Sequence, residues 1–146
     1  IRGAELDQLT LGGLLHDIGK CRVPLEILDK PGKLDAREWD VMKMHPVHSQ
    51  EILGLENDLD ADIIAMAAYH HEKLDGTGYP DGLSGAQIND HIRLTAVADV
   101  YSALIDKRAY KGSMSSEAAL NIMATLKDDL DMDLVREFRS FTLDKG

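Results

Sequence analysis

The sequence predicts an all-α, bundle-like domain, and three observations carry that prediction. Apolar residues recur at helical spacing in several segments. Aromatic residues make up only 5% of the chain, with no long β-branched alternation, so strands find little support. Helix punctuation falls between the periodic segments, at Gly19, Pro31-Gly32, Asp35 and Pro46.

The first helix is expected over Glu5–Ile18, with Leu6, Leu9, Leu11, Leu14 and Leu15 mostly inward and Gly19 as its stop. Pro24 to Leu28 suits a short helical turn that Pro31-Gly32 ends. Asp35 with Glu38 at the third helical position is a capping box, opening a helix that reaches His45; Pro46 then starts the next, to about Leu53. Ala61–His71 is apolar at helical spacing. Lys73–Gly85 is a glycine-rich loop, and Asp90–Lys107 is a long helix around Leu94, Val97, Ala98, Tyr101, Leu104 and Ile105. Ser115, Ser116 and Glu117 open another helix to about Lys127, and Asp133–Phe141 forms an amphipathic last one. The Met and Leu positions of these last two helices offer a face for a homodimer.

Composition narrows the function. With 16 Lys plus Arg against 26 Asp plus Glu, the chain carries a formal charge of −10, which argues against binding a nucleic-acid polymer or an anionic membrane surface. The longest apolar stretch, Ile63–Tyr69, is too short to span a bilayer. The single cysteine, Cys21, excludes an internal disulfide and fits a reducing cytoplasm; packing in the core is its expected role. Trp39 and Met42 are expected in the core, and the acidic run Asp128–Asp133 as a solvated turn. The chain starts at Ile1, so the expectation is a piece of a longer protein, whose parent is free to be membrane-anchored.

The histidines carry the chemistry by their placement. His16-Asp17, His45 and His70-His71 stand at helix ends, and Asp99 lies in the most apolar part of the longest helix. A carboxylate on a buried helix face is costly unless paired or metal-bound. Adjacent helix residues point about 100° apart, so His70-His71 either serves two ions side by side or brackets one where the helix ends. Mixed imidazole and carboxylate ligands without thiolate suit iron, manganese or zinc, and two such ions can activate water and clamp a phosphate for in-line displacement. Lys20, Lys107, Arg108 and Lys111 form a cationic set; if helical throughout, Asp99 to Arg108 spans about 13 Å, the reach of a dinucleotide anchored on a metal. Tyr79-Pro80, flanked by Gly76, Gly78 and Gly82, can present an aromatic ring beside the histidines.

In order along the chain, Leu14-Leu15-His16-Asp17-Ile18-Gly19-Lys20, Pro24 through Leu34, Met44-His45-Pro46, His70-His71-Glu72, Asp75-Gly76-Thr77-Gly78-Tyr79-Pro80, Ala98-Asp99-Val100-Tyr101 and Arg108-Ala109-Tyr110 closely resemble the HD-GYP family, a branch of the HD-domain metal-dependent phosphohydrolases. The match covers about three quarters of the chain. The resemblance implies an HD-domain-like helical bundle that hydrolyses cyclic di-GMP, a bacterial second messenger, to pGpG and on to GMP. It implies two divalent ions, or three in a fuller site, with iron or manganese most common. The implied metal ligands are His16, Asp17, His45, His70, His71 and Asp99, with Asp17 bridging two ions. Lys20 resembles the lysine near the scissile phosphate, Arg108 and Lys111 those that hold the substrate phosphates, and Tyr79 a residue shaping the pocket; Asp17 and Lys20 are thus the catalytic pair. The partners implied are cyclic di-GMP and an upstream sensor or receiver domain.

Three departures stand beside the resemblance. The family's preceding helix, which adds a histidine and in some members a glutamate, has no counterpart before His16. Ser49 replaces a common glycine, and Ser102 a common aspartate. The first departure motivates an alternative: a catalytically weak module that binds cyclic di-GMP or a protein partner without turnover.

Overall fold

The computed structural model describes residues 3–106 and 114–143. Eight α-helices lie within them: α1 (Ala4–Leu15), α2 (Leu25–Leu28), α3 (Ala36–Met42), α4 (His45–Leu53), α5 (Ala61–Tyr69), α6 (Asp90–Ile105), α7 (Ser116–Met123) and α8 (Met132–Leu143). Among the described residues there is no β-strand, only an isolated Asp75–Ser84 bridge. Lys107, Arg108 and Lys111 lie outside the described residues.

Local chemistry accounts for most helix starts. The capping box forms: Glu38 N donates to Asp35 Oδ1 at 2.9 Å and Asp35 N to Glu38 Oε2 at 2.7 Å. Asn89 caps α6 by accepting from Ile92 N, and Ser115 caps α7 by accepting from Ala118 N. Pro46 sits in the first turn of α4, where its missing N–H costs nothing.

The described chain divides into two compact units. The first runs to His71 and takes back Tyr79–Asp81; the second holds Glu72–Gly78 and continues from Gly82. In the first, α5 packs on both α1 and α4, and α4 packs on the 3-10 turn Ile18–Arg22. Its buried apolar residues include Val23, Leu53, Ile63, Met66, Ala67 and Ala68. In the second, Ala96, Val97, Leu120, Met123, Leu130 and Val135 form the core, flanked by Tyr101 and Phe138, whose rings meet edge to face at 4.9 Å.

Several expectations are corrected. The first helix ends at Leu15, and a separate 3-10 turn follows. Leu6, Leu11 and Leu14 are exposed, Leu14 at 76%, because α1 meets its neighbour through Gly12: a Cβ there would fall 2.4 Å from Met66 Sδ. Gly19 is no helix stop. It is buried in the 3-10 turn, where a Cβ would lie 2.0 Å from the His45 carbonyl oxygen. His45 opens α4, since α3 already stops at Met42. The long helix ends at Ile105, not Lys107, and α7 ends at Met123, not Lys127. Trp39 and Cys21 are exposed rather than core. The acidic run is a turn with Asp128 and Asp133 exposed, as expected, and it is also a joint: Leu74 N and Asp75 N donate to the carbonyls of Asp129 and Asp128, Lys73 pairs with Asp129 at 2.9 Å and Arg93 with Asp131 at 2.8 Å, and Leu130 is buried. Among the described residues no helix is long and apolar enough to cross a membrane.

Candidate metal centre

The ends of three helix segments supply the candidate site in the first unit. His16 caps the C-terminus of α1 and Asp17 follows it, His45 begins α4, and His70 caps the C-terminus of α5, followed by His71. One joint holds two of these ends together. Gly19 N donates to Ser49 Oγ at 2.9 Å, and Ser49 Oγ donates to the His16 carbonyl at 3.1 Å. The absence of a side chain at Gly19 lets the His16-Asp17 turn lie directly on the first turns of α4. Sequence reasoning missed this role; the signal was a small residue on each side, Gly19 and Ser49.

Ligand atoms of Asp17, His45, His70 and His71 all lie within 4.8 Å of one another. Asp17 Oδ1 is 3.2 Å from His45 Nε2 and 3.7 Å from His70 Nε2. His71 Nε2 is 3.2 Å from His45 Nε2. The adjacent pair His70-His71 therefore converges on one place where its helix ends. His16 joins them edge-on to His70, with ring centroids 4.9 Å apart, and its Nε2 is 3.4 Å from Asp17 Oδ2.

Three rings share one orientation device. The Nδ1 atoms of His16, His45 and His70 lie 2.7, 2.7 and 3.1 Å from the carbonyl oxygens of Gly13, Met42 and Ala67, each three residues earlier. A carbonyl only accepts, so each Nδ1 carries a proton, and each ring in its neutral form turns an Nε2 lone pair toward Asp17. Acceptors thus face acceptors. Asp17 Oδ1 and His70 Nε2 are buried with no hydrogen-bond partner, and His45 and His70 are each 2% exposed. An uncompensated cluster of this kind is expensive. A divalent cation resolves it. Ligand atoms at about 2.1 Å from one ion lie about 3.0 to 3.4 Å from each other, close to the separations seen here. The residues present therefore fit a metal, and the carbonyl behind the imidazoles of His16, His45 and His70 is the usual support for a ligating histidine.

Burial pushes the Asp17 carboxyl pKa up, and the Lys20 ammonium beside it pulls the other way, favouring the ionised form. Lys20 Nζ donates to Asp17 Oδ2 at 2.6 Å. Tyr79 lies against His71, nearly parallel at 24° with centroids 4.9 Å apart, and its backbone N donates to the His71 carbonyl. The aromatic ring expected beside the histidines is therefore there. Asp99 stands on α6 of the second unit and is half-buried. Arg108 and Lys111 are not among the described residues.

A family model described as an HD domain matches residues 2–134, and the chain belongs to that family. It is 41% identical to a cyclic di-GMP phosphodiesterase of Pseudomonas aeruginosa, over 88% of this chain and 31% of the relative. It is 46% identical to a 3'3'-cGAMP-specific phosphodiesterase of Vibrio cholerae, over 79% of this chain and 26% of the relative. A cyclic di-GMP phosphodiesterase response regulator of Xanthomonas campestris is 44% identical, over 80% and 31% of the two chains. The chain thus spans between about a quarter and a third of the length of these relatives.

Proposed function

We propose that this HD-domain chain is a single HD-GYP domain, the output module of a longer bacterial signalling protein, acting in the cytoplasm as a metal-dependent phosphodiesterase that hydrolyses cyclic di-GMP to pGpG and onward to GMP. One observation carries the reading: ligand atoms of Asp17, His45, His70 and His71 lie within 4.8 Å of one another, and two of them, Asp17 Oδ1 and His70 Nε2, are buried without a hydrogen-bond partner. The names of the relatives point to cyclic dinucleotides as the substrate class.

His45, His70, His71 and Asp17 would hold one divalent ion, and His16 with Asp17 would contribute to a second; iron or manganese suits this nitrogen and oxygen set. The sequence pattern assigns Asp99 to the ligand set as well. Such ions supply Lewis acidity toward a phosphoryl oxygen and lower the pKa of water.

The protein's own groups do the rest. The carbonyls of Gly13, Met42 and Ala67 fix three imidazoles in one tautomer, so no reorientation is needed when substrate arrives. The Lys20 ammonium favours the ionised form of Asp17 against the effect of its burial. Lys20 spends one of three ammonium donors on Asp17; the other two serve a phosphoryl oxygen as charge develops. Tyr79 braces His71 and shapes the approach, and the family resemblance implies that Arg108 and Lys111 hold the substrate phosphates.

The test pairs anaerobic metal analysis with hydrolysis of cyclic di-GMP. The expected result is two or more ions per chain and formation of pGpG or GMP. Asp17→Ala should lower hydrolysis by at least about 10³-fold with an unchanged circular dichroism spectrum. Full activity in that variant overturns the mechanism. Metal-loaded protein that binds cyclic di-GMP without turnover would convert the reading to a binding module.

A further inference from the structure

We propose that Trp39 is a stacking platform for one purine base of the cyclic dinucleotide, a positioning residue for substrate outside the metal cluster; this rests on the phosphodiesterase reading above. Trp39 is the single tryptophan of the sequence, and it is 47% exposed on α3. An indole is rewarded in folding by burial, so one left half in water contributes little to the core.

Its ring is nevertheless held. The indole meets Tyr79 edge to face, at 6.4 Å between centroids and 80° between planes. Tyr79 in turn stacks on His71, whose Nε2 lies 3.2 Å from that of His45. A series of ring contacts therefore runs from the ligand cluster to an exposed aromatic surface, all within the first unit. The capping box at Asp35 and Glu38 fixes the start of α3, one turn before Trp39. Such a platform loses little conformational freedom when a ligand arrives.

Charge on α3 points the same way. Lys43 pairs with Asp40 at 2.9 Å, and Glu38 with Lys30, so these charges near Trp39 compensate one another. What Trp39 offers an anionic dinucleotide is a π-face. The phosphate belongs to the Asp17 and Lys20 end of the site, and the base to the Trp39 end. Every base has a π-face, so Trp39 adds affinity without distinguishing guanine from adenine, and cyclic di-GMP and 3'3'-cGAMP should depend on it equally.

The experiment uses Trp39 as its own reporter. The manganese-loaded chain is titrated with a slowly hydrolysed phosphorothioate analogue of cyclic di-GMP, by tryptophan emission and in parallel by equilibrium dialysis. Emission should change saturably with the midpoint that dialysis gives. Trp39→Ala should weaken binding on the order of tenfold, and Trp39→Phe should restore it to within about threefold, since a smaller ring still stacks. A contribution from stacking should also persist at high salt. Analogue that binds by dialysis while emission stays unchanged overturns the proposal, as does unaltered affinity in Trp39→Ala. Absence of binding to the wild-type chain overturns this proposal and the phosphodiesterase reading together, whereas a silent Trp39 beside normal binding overturns this one alone.

Discussion

Each unit of the molecule contains a buried polar cluster, and the two are built on opposite rules. In the second unit Glu72 and Arg93 meet complements. Glu72, 3% exposed, accepts from the backbone N–H groups of Gly82 and Leu83 at 3.0 and 2.9 Å. Arg93 donates to the carbonyls of Ile88 and Gly85 and to Asp131, each at 2.8 Å. In the first unit Asp17 Oδ1 and His70 Nε2 lack such complements, and acceptors are aimed at acceptors. Buried donors matched to acceptors are what folding requires. Buried acceptors converging without donors are what a cation requires. Burial and residue type alone would rank the two clusters alike; hydrogen-bond satisfaction separates them.

The comparison predicts that one change can damage both fold and site in the first unit. Gly19→Ala forces a Cβ to within 2.0 Å of the His45 carbonyl and 2.5 Å of Ser49 N. Both contacts are backbone, so neither can swing aside. We expect a loss of about 3 kcal/mol or more in urea unfolding and ion affinity weakened at least about 10-fold, because the displaced segment carries His45. Normal metal content in a destabilised Gly19→Ala chain would show that the ligand geometry does not depend on this joint.

The second unit should respond differently. Arg93→Ala removes three charge-assisted hydrogen bonds, to the Ile88 and Gly85 carbonyls and to Asp131. The expected cost is about 3 kcal/mol, with metal stoichiometry of the folded fraction unchanged. Reduced stoichiometry in chains that remain folded would blur the distinction drawn above.

How far the sequence could reveal this follows from what each interaction leaves in the pattern. His16, Asp17, His45, His70 and His71 were legible as candidates because their order matches a family; standing at helix ends would not by itself have marked them. The helical class was legible from periodicity and caps, and the Asp35 and Glu38 box forms as expected. The leucines of α1 misled, because the contact with Met66 runs through Gly12, whose contribution is the side chain it lacks. Trp39 and Cys21 were assigned to the core by type, and type does not fix burial. The ties of the acidic run to Leu74 and Asp75 were not legible, because the backbone carbonyls that make them have no signature in a sequence.

The smallest expected effect sharpens the comparison at low pH. The side-chain hydrogen bond from Arg93 holds the Asp131 carboxyl below its ordinary value, opposed by burial and helped by the backbone N–H groups of Leu134 and Asp133. A carboxyl whose folded pKa is depressed contributes stability above its unfolded pKa of about 3.9. That contribution is lost as pH falls through the lower folded value, where both states hold the proton. Asp131→Asn should therefore lower stability by about 1 kcal/mol above pH of about 5, and the gap between the two proteins should close on further acidification. Urea midpoints of both chains from neutral pH down to the acid limb measure it. A gap independent of pH would mean that Asp131 acts through the geometry of its hydrogen bonds, which Asn can partly copy, and that satisfaction in this cluster owes little to charge.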